Sequence, residues 1–164
     1  MRLIVDTREQ RPYSFEGPRY DGVTIERCAL NVGDYSLAGL TDKVSVERKS
    51  VDDLAQSVAR ARERFERELQ RAQALDAFCV VVEGTYEQIA KGLYGPRVWP
   101  KAILQSLCAF TARYGTPFFL AGSRTAAEYV CFSFLRQYLE GTRRRLDAIV
   151  NAHDMAENRQ EMAF

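Results

Sequence analysis

Apolar and polar positions alternate with a short period in the first third of the chain and with a longer one after it. Arg2-Leu3-Ile4-Val5-Asp6 is an apolar run closed by a carboxylate, the pattern of an opening strand, and Thr7-Arg8-Glu9-Gln10-Arg11 with Pro12 ends it. Past the loop signals Gly17-Pro18 and Asp21-Gly22, Val23 to Cys28 alternates as a second strand. Tyr35 to Leu37 predicts a third strand, Ala38 to Asp42 a turn, and Lys43 to Glu47 a fourth strand. The period then changes. Leu54, Val58, Ala61, Phe65, Leu69, Ala72 and Leu75 recur at helical spacing, behind a capping-box-like start in which Asp53 follows Ser50 by three residues. Phe78 to Glu83 is a continuous apolar run of strand length, as expected of an interior strand covered on both faces. Thr85 with Gln88 predicts the cap of a short helix. Pro100 predicts the first position of another, which turns Ile103, Leu104, Leu107 and Phe110 inward. Pro117 to Ala121 predicts a last strand, and Thr125 with Glu128 caps a long final helix through Tyr138 or beyond.

Strands interleaved with helices predict an α/β sandwich in which a mixed central sheet is flanked by helices. Residues 1–140 read as one domain. Residues 141–164 turn polar and basic through Arg143-Arg144-Arg145, as a helical extension or a flexible tail. No apolar run reaches the ~18 residues of a membrane span, and Asp6 interrupts the N-terminus too early for a signal peptide, so an intracellular protein without membrane contact is expected. Cys28, Cys79, Cys108 and Cys131 are far apart in apolar segments and are expected as buried free thiols. The one histidine, His153, falls in the tail, which argues against chemistry built on a core histidine.

A net charge of +1 rules out a chain that binds nucleic acid through global positive charge, so a phosphate-binding surface must be a local patch. Arg60, Arg64, Arg67 and Arg71 lie on a stripe beside the apolar one. A solvated face with pairs such as Glu63 to Arg67 accounts for it and is compatible with phosphate contacts. Arg8, Arg11, Arg60 and Arg64 are the candidate substrate-binding residues.

The stretch from Asn31 to Leu54 carries the candidate chemistry. Asp34 precedes the β-branched run Val44-Ser45-Val46, which ends in Glu47-Arg48-Lys49. Side chains alternate along a strand, so Glu47 and Lys49 share a face, their Cα atoms about 6 to 7 Å apart, while Arg48 points the other way. Two carboxylates and an ammonium at a strand end could take a hard divalent cation and a water. Magnesium favours a few carboxylate oxygens with retained waters, which Asp34 and Glu47 could supply together with the backbone carbonyl of Arg48 and, as a further candidate, Asp6. Lys49 could orient a water and stabilise charge building on a phosphate, whereas a role as base would need its pKa lowered. The reaction would be phosphodiester hydrolysis. Asp53 reads first as a helix cap, and Arg8 and Glu9 as partners of each other or of the site's charges.

At these residues the chain resembles a known family. Val5-Asp6-Thr7-Arg8-Glu9, Val32-Gly33-Asp34-Tyr35 and Glu47-Arg48-Lys49-Ser50-Val51-Asp52-Asp53-Leu54 look like the signature of the XPF-type structure-specific endonucleases, a branch of the restriction-endonuclease-like superfamily. The likeness continues through Arg64-Phe65 and Val81-Val82-Glu83-Gly84 and covers roughly Arg2 to Glu140. It implies a restriction-endonuclease-like three-layer sandwich. It also implies a nuclease of DNA repair or recombination that uses Mg2+, with Mn2+ able to substitute, to nick flaps, forks and splayed arms. By position, Asp34 and Glu47 match the family's metal-binding carboxylates and Lys49 its catalytic lysine; Asp6, Arg8, Arg48 and Asp53 match positions that shape the site, as Glu9 would.

Family nuclease domains pair through their last helices, so the helices around Ile103 to Tyr114 and Ala126 to Tyr138 are candidate surfaces for a homodimer or heterodimer. Their apolar positions Leu107, Phe110, Tyr129, Phe132 and Leu135 are more ordinarily core. Family members usually carry tandem helix-hairpin-helix repeats after this domain, and only about two dozen residues follow Glu140, so a free-standing domain is expected. No GxxxxGK[ST] phosphate loop occurs, which leaves ATP-driven activity without support. The rival readings are a non-catalytic DNA-binding or scaffolding subunit, and a nuclease of the same fold acting on linear duplex or RNA.

Overall fold

The structure, a computed structural model, describes residues 1–161, with side chains described to Asp154. Six strands, β1 (Arg2–Val5), β2 (Thr24–Arg27), β3 (Tyr35–Leu37), β4 (Val44–Ser50), β5 (Ala77–Glu83) and β6 (Phe118–Leu120), form one sheet in the order β2-β1-β3-β4-β5-β6. The short turn after Leu37 makes β3 and β4 antiparallel, and β3 is also antiparallel to β1. The parallel pairs β4–β5 and β5–β6 need long crossovers, which helices supply: α1 (Val51–Val58) and α2 (Arg62–Ala72) for the first, α3 (Tyr86–Ala90) and α4 (Pro100–Tyr114) for the second. A final helix, α5 (Arg124–Glu161), crosses the other face.

Alternation along β5 divides the core in two. Cys79 and Val81 face α5 and pack with Val5, Tyr35, Val46, Phe132, Leu135 and the loop aromatics Tyr13, Phe15 and Tyr20. Phe78, Val80 and Val82 face α1, α2 and α4, where they meet Leu54, Phe65, Leu69, Ile103 and Phe110. The result is the three-layer α/β sandwich with a mixed central sheet, and β5 is buried on both sides as its unbroken apolar run requires.

Several elements depart from the pattern read in the sequence. β4 does not stop at Glu47 but continues through Arg48 and Lys49 to Ser50. The single helix expected from Leu54 to Leu75 is two, broken at 59–61, where Ala59 takes φ −112° and ψ −102°. The apolar stripe is nonetheless buried at Leu54, Val58, Phe65, Leu69 and Ala72, so the break re-aims α2 without exposing its core face. It also takes Arg60 off the helical stripe that holds Arg64, Arg67 and Arg71.

At α5 the cap is Ser123, whose hydroxyl accepts from Ala126 N–H; Glu128 instead accepts from the Phe15 N–H. The Thr85–Gln88 capping box and Pro100 in the first turn of its helix are both present. Cys79 and Cys131 are buried thiols, but Cys28 and Cys108 are exposed, a correction to the expectation of four buried ones. α5 runs without interruption through Gly141. Among the described residues no helix is long and apolar enough to cross a membrane.

Candidate active site

The site forms where β3 begins and β4 ends, and Gly33 sets it. Its φ is 75°, and a Cβ there would stand 2.2 Å from Ser45 Oγ and 3.0 Å from the Val46 carbonyl, so no other residue fits the turn. Asp34, the next residue, is fixed by its backbone: its N–H donates to Val46 O at 2.8 Å and its carbonyl accepts from Asp6 N–H at 2.8 Å. Its Oδ2 accepts from the Arg48 N–H at 2.8 Å, which holds the carboxylate against the end of β4.

The strand alternation read from the sequence is present. Glu47 and Lys49 turn to the α1–α2 side, both buried, with Lys49 Nζ donating to Glu47 Oε1 at 2.8 Å and lying 4.4 Å from the Phe65 ring centroid. Arg48 turns to the α5 side, where Nε and Nη2 donate to Glu83 at 2.7 and 2.9 Å and Nη1 lies 3.6 Å from Glu9. Glu83 also accepts from Arg124 at 2.9 Å, and Arg124 donates to the carbonyls of Arg11 and Pro12. Arg48, Glu83 and Arg124, with Glu9, therefore bind β4, β5, α5 and the N-terminal loop together beneath the site.

Asp6 is an organiser rather than an open ligand. Its Oδ1 accepts from Arg8 N–H and Nε at 2.7 and 2.8 Å, and its Oδ2 from Arg8 Nη2 and Leu30 N–H at 2.8 and 2.7 Å, which uses the four acceptor positions of a carboxylate. The Arg8 hydrogen bonds hold its pKa down to about 2, against the opposing effect of burial. Asp53 accepts from Ser50 Oγ at 2.6 Å and donates its own N–H to that hydroxyl, the helix-cap arrangement its position predicts.

A residue the sequence reading missed completes the group. Glu68 projects from α2 against Glu47 and the Gly33 backbone. Burial first, and then the negative charge of Glu47, push the Glu68 carboxyl well above the ordinary range. Burial and Glu47 act in the same order on Asp34 and push it up as well. For Lys49, burial pulls the pKa down, but the charge and hydrogen bond of Glu47 outweigh it and the net shift is upward. Lys49 is thus an ammonium, suited to hold a water and neutralise a phosphate rather than to act as a base. The signal for Glu68 was a charged residue on the helix face shared by Phe65, Leu69 and Ala72.

These groups open into a cavity of about 860 Å³. Asp6, Arg8, Glu9, Arg11, Asp34, Glu47, Arg48, Lys49, Asp53 and Arg64 all line it, joined by Glu68 and Arg71. Arg60 does not; it lines an adjoining cleft. Among the described residues no three potential ligands close a metal cage unaided. What they offer is an open half-shell of hard oxygens from Asp34 and Glu47, in which burial and the neighbouring Glu47 charge favour protonation of Asp34. A divalent cation that keeps waters and completes its shell with substrate oxygens fits such a donor set and would relieve the crowding.

The fold has solved counterparts. A structure of XPF from Aeropyrum pernix matches with a TM-score of 0.63 and 24% identity, over 84% of this chain and 61% of that one. A structure of XPF from Aeropyrum pernix in complex with DNA matches with a TM-score of 0.62 and 24% identity, over 85% of this chain and 66% of that one. The chain thus spans less than two thirds of either, and identity at that level carries the fold. No curated protein matches the chain. The model of the ERCC4 domain matches residues 5–132, most of the sequence, and the chain belongs to that family of nuclease domains.

Proposed function

We propose that this chain is a divalent-metal-dependent DNA endonuclease that hydrolyses phosphodiester bonds at branched DNA, such as flaps, forks and splayed arms. The observation that carries the reading is the joining of Asp34, Glu47 and Lys49 at one strand end, in a cavity rimmed by Arg8, Arg11, Arg64 and Arg71.

Asp34 and Glu47 would hold Mg2+, or Mn2+ in its place, and the bound ion would acidify a water and polarise the phosphoryl oxygen. Lys49, fixed by Glu47 and the Phe65 ring, orients the attacking water and meets the charge that grows on the phosphate. Arg8, held by Asp6 with its guanidinium edge at the cavity, and Arg64 position the flanking phosphates. The leaving 3′ or 5′ oxygen takes its proton from water. We further propose that two copies pair through α5.

A panel of flap, fork, blunt duplex and RNA substrates, with and without a chelator, tests the reading. Cutting should require Mg2+ or Mn2+ and favour branched DNA. Lys49→Ala and Glu47→Ala should each lower the rate by roughly 10²- to 10³-fold. Cutting that survives both substitutions or the chelator overturns it, and binding of branched DNA with no cutting in any metal marks a non-catalytic subunit instead.

A further inference from the structure

The feature left unused by this chemistry is the loop from Lys91 to Trp99. Trp99 is the chain's sole tryptophan and is 82% exposed, and Leu93 nearby is 63% exposed. A large indole is ordinarily among the more buried side chains, so its exposure at an ordered position calls for a ligand. The position is ordered. Gly95 N–H donates to Asp52 Oδ1 at 2.9 Å, Tyr94 Oη to the Val98 carbonyl at 2.7 Å, and Leu93 N–H to the Gln88 carbonyl at 2.9 Å. The first ties the loop to α1, the helix that starts at the catalytic strand end, the second closes the loop on itself, and the third holds it to α3.

Between loop and helix lies a cleft of about 510 Å³. Asp52 and Gln56 line both this cleft and the catalytic cavity, so the two form one trough along α1. Arg60 and Arg97 line the cleft, and among the described residues neither has an ion-pair partner. Lys101 follows Trp99 by two residues and is likewise exposed. A trough that leaves a phosphodiester-binding site, carries unpaired guanidinium groups and is walled by Val98, the residue before an exposed indole, has the make-up of a single-strand platform: cations for the backbone and a flat face for a base.

We propose that the Arg60–Arg97 cleft and Trp99 bind an unpaired DNA strand leaving the active site, with one base stacked on the indole and adjacent phosphates on the two arginines. The proposal rests on the nuclease reading for the direction of the strand, but its physical content is separate. It assigns Arg60 a phosphate outside the catalytic cavity and gives the chain a contact that double-stranded DNA, with its bases stacked internally, does not make.

Because Trp99 is the only tryptophan, its emission reports the contact directly. The Lys49→Ala protein, in chelator, is titrated with a short single-stranded oligodeoxythymidylate and with a blunt duplex, while anisotropy of labelled strands measures binding in parallel. Saturable quenching by the single strand, absent or much weaker with the duplex, is the expected result. Trp99→Ala should weaken single-strand binding roughly tenfold and Trp99→Phe should restore most of it, as the loss of one stacked base predicts. Replacing Arg60 and Arg97 by Gln should flatten the salt dependence of binding by roughly 0.7 per lost phosphate contact. Emission that does not move while anisotropy shows the strand bound overturns the proposal and leaves Trp99 and Leu93 to a protein partner. Quenching with no cutting by the unsubstituted protein in any metal upholds the platform and removes the nuclease reading; cutting without quenching does the reverse.

Discussion

Glu68 is the residue whose role the geometry most sharpens. It adds a third carboxylate beside Asp34 and Glu47 in a hollow with one ammonium, so without a cation the group repels itself. Glu68→Gln should therefore raise the melting temperature of the protein in chelator and, by removing a charge that draws the ion in, weaken Mg2+ or Mn2+ binding by roughly tenfold. Thermal melts with and without metal, together with calorimetric titration, check both halves; a variant that loses stability in chelator sinks the argument. Protonation gives the same conflict a pH dependence. Asp34 and Glu68 have folded pKa values raised above their ordinary 3.8 and 4.5, so the stability linked to them is complete below those values and is lost as pH rises through the folded ones. Asp6 works oppositely: depressed from 3.8 to about 2, it contributes stability above 3.8 that is lost as pH falls toward 2. The metal-free protein should thus be most stable in mild acid and weaken toward alkaline pH, and saturating Mg2+ should flatten the alkaline decline. Melts across pH in chelator and in Mg2+ decide it.

At the scale of elements, the turn between Gly33 and Asp34 and the two ends of β4 determine whether the site exists. Gly33→Ala forces a Cβ into Ser45 and a left-handed backbone on a residue with a side chain, a cost of about 1–3 kcal/mol. Because Asp34 follows directly, cutting should fall further than the loss of stability alone would cause, which kinetics well below the melting temperature would show; a variant as active as the parent would mean that Asp34 is positioned by other means. How much of this was legible varies by element. β5, from its continuous apolar run, and the common face of Glu47 and Lys49, from strand alternation, can be read directly. The end of β4 could not be, because three charged residues in a row look like a loop, and only the partners Glu83, Glu9 and Glu47 make them tolerable in a strand. The break at 59–61 carries no proline or glycine. It arises from packing, since α2 must turn to set Phe65 beneath Lys49 and Glu68 beside Glu47, and nothing in the local sequence reports that demand. Glu68 stood out only as a charge on the apolar face of its helix, and what it faces, Glu47, depended on the same turn.

At the scale of the molecule, α5 is too long for the sheet it covers. Its 38 residues span about 57 Å at 1.5 Å each, whereas the longest strands, of 7 residues, span about 23 Å. The first part is accounted for: Ala127, Cys131, Phe132 and Leu135 are core, and of the apolar positions named earlier on the last two helices only Tyr129 is exposed, with Arg19 over its ring. The later part overhangs the sheet and shows Leu146, Ile149 and Val150 to solvent at the spacing of one helical stripe. Such a stripe is costly on a monomer, and a second α5 laid against it would bury it on both copies by the same contacts. Light scattering after size exclusion should accordingly give twice the chain mass at micromolar concentration. Leu146→Glu with Ile149→Glu should give the single chain mass with an unchanged melting temperature for the sheet domain, because neither residue touches the core. If the unsubstituted protein runs as a monomer throughout, the pairing through α5 is wrong. If the doubly substituted protein stays a dimer, the contact lies elsewhere, with the exposed Phe119 of the β6 edge as the next surface to substitute.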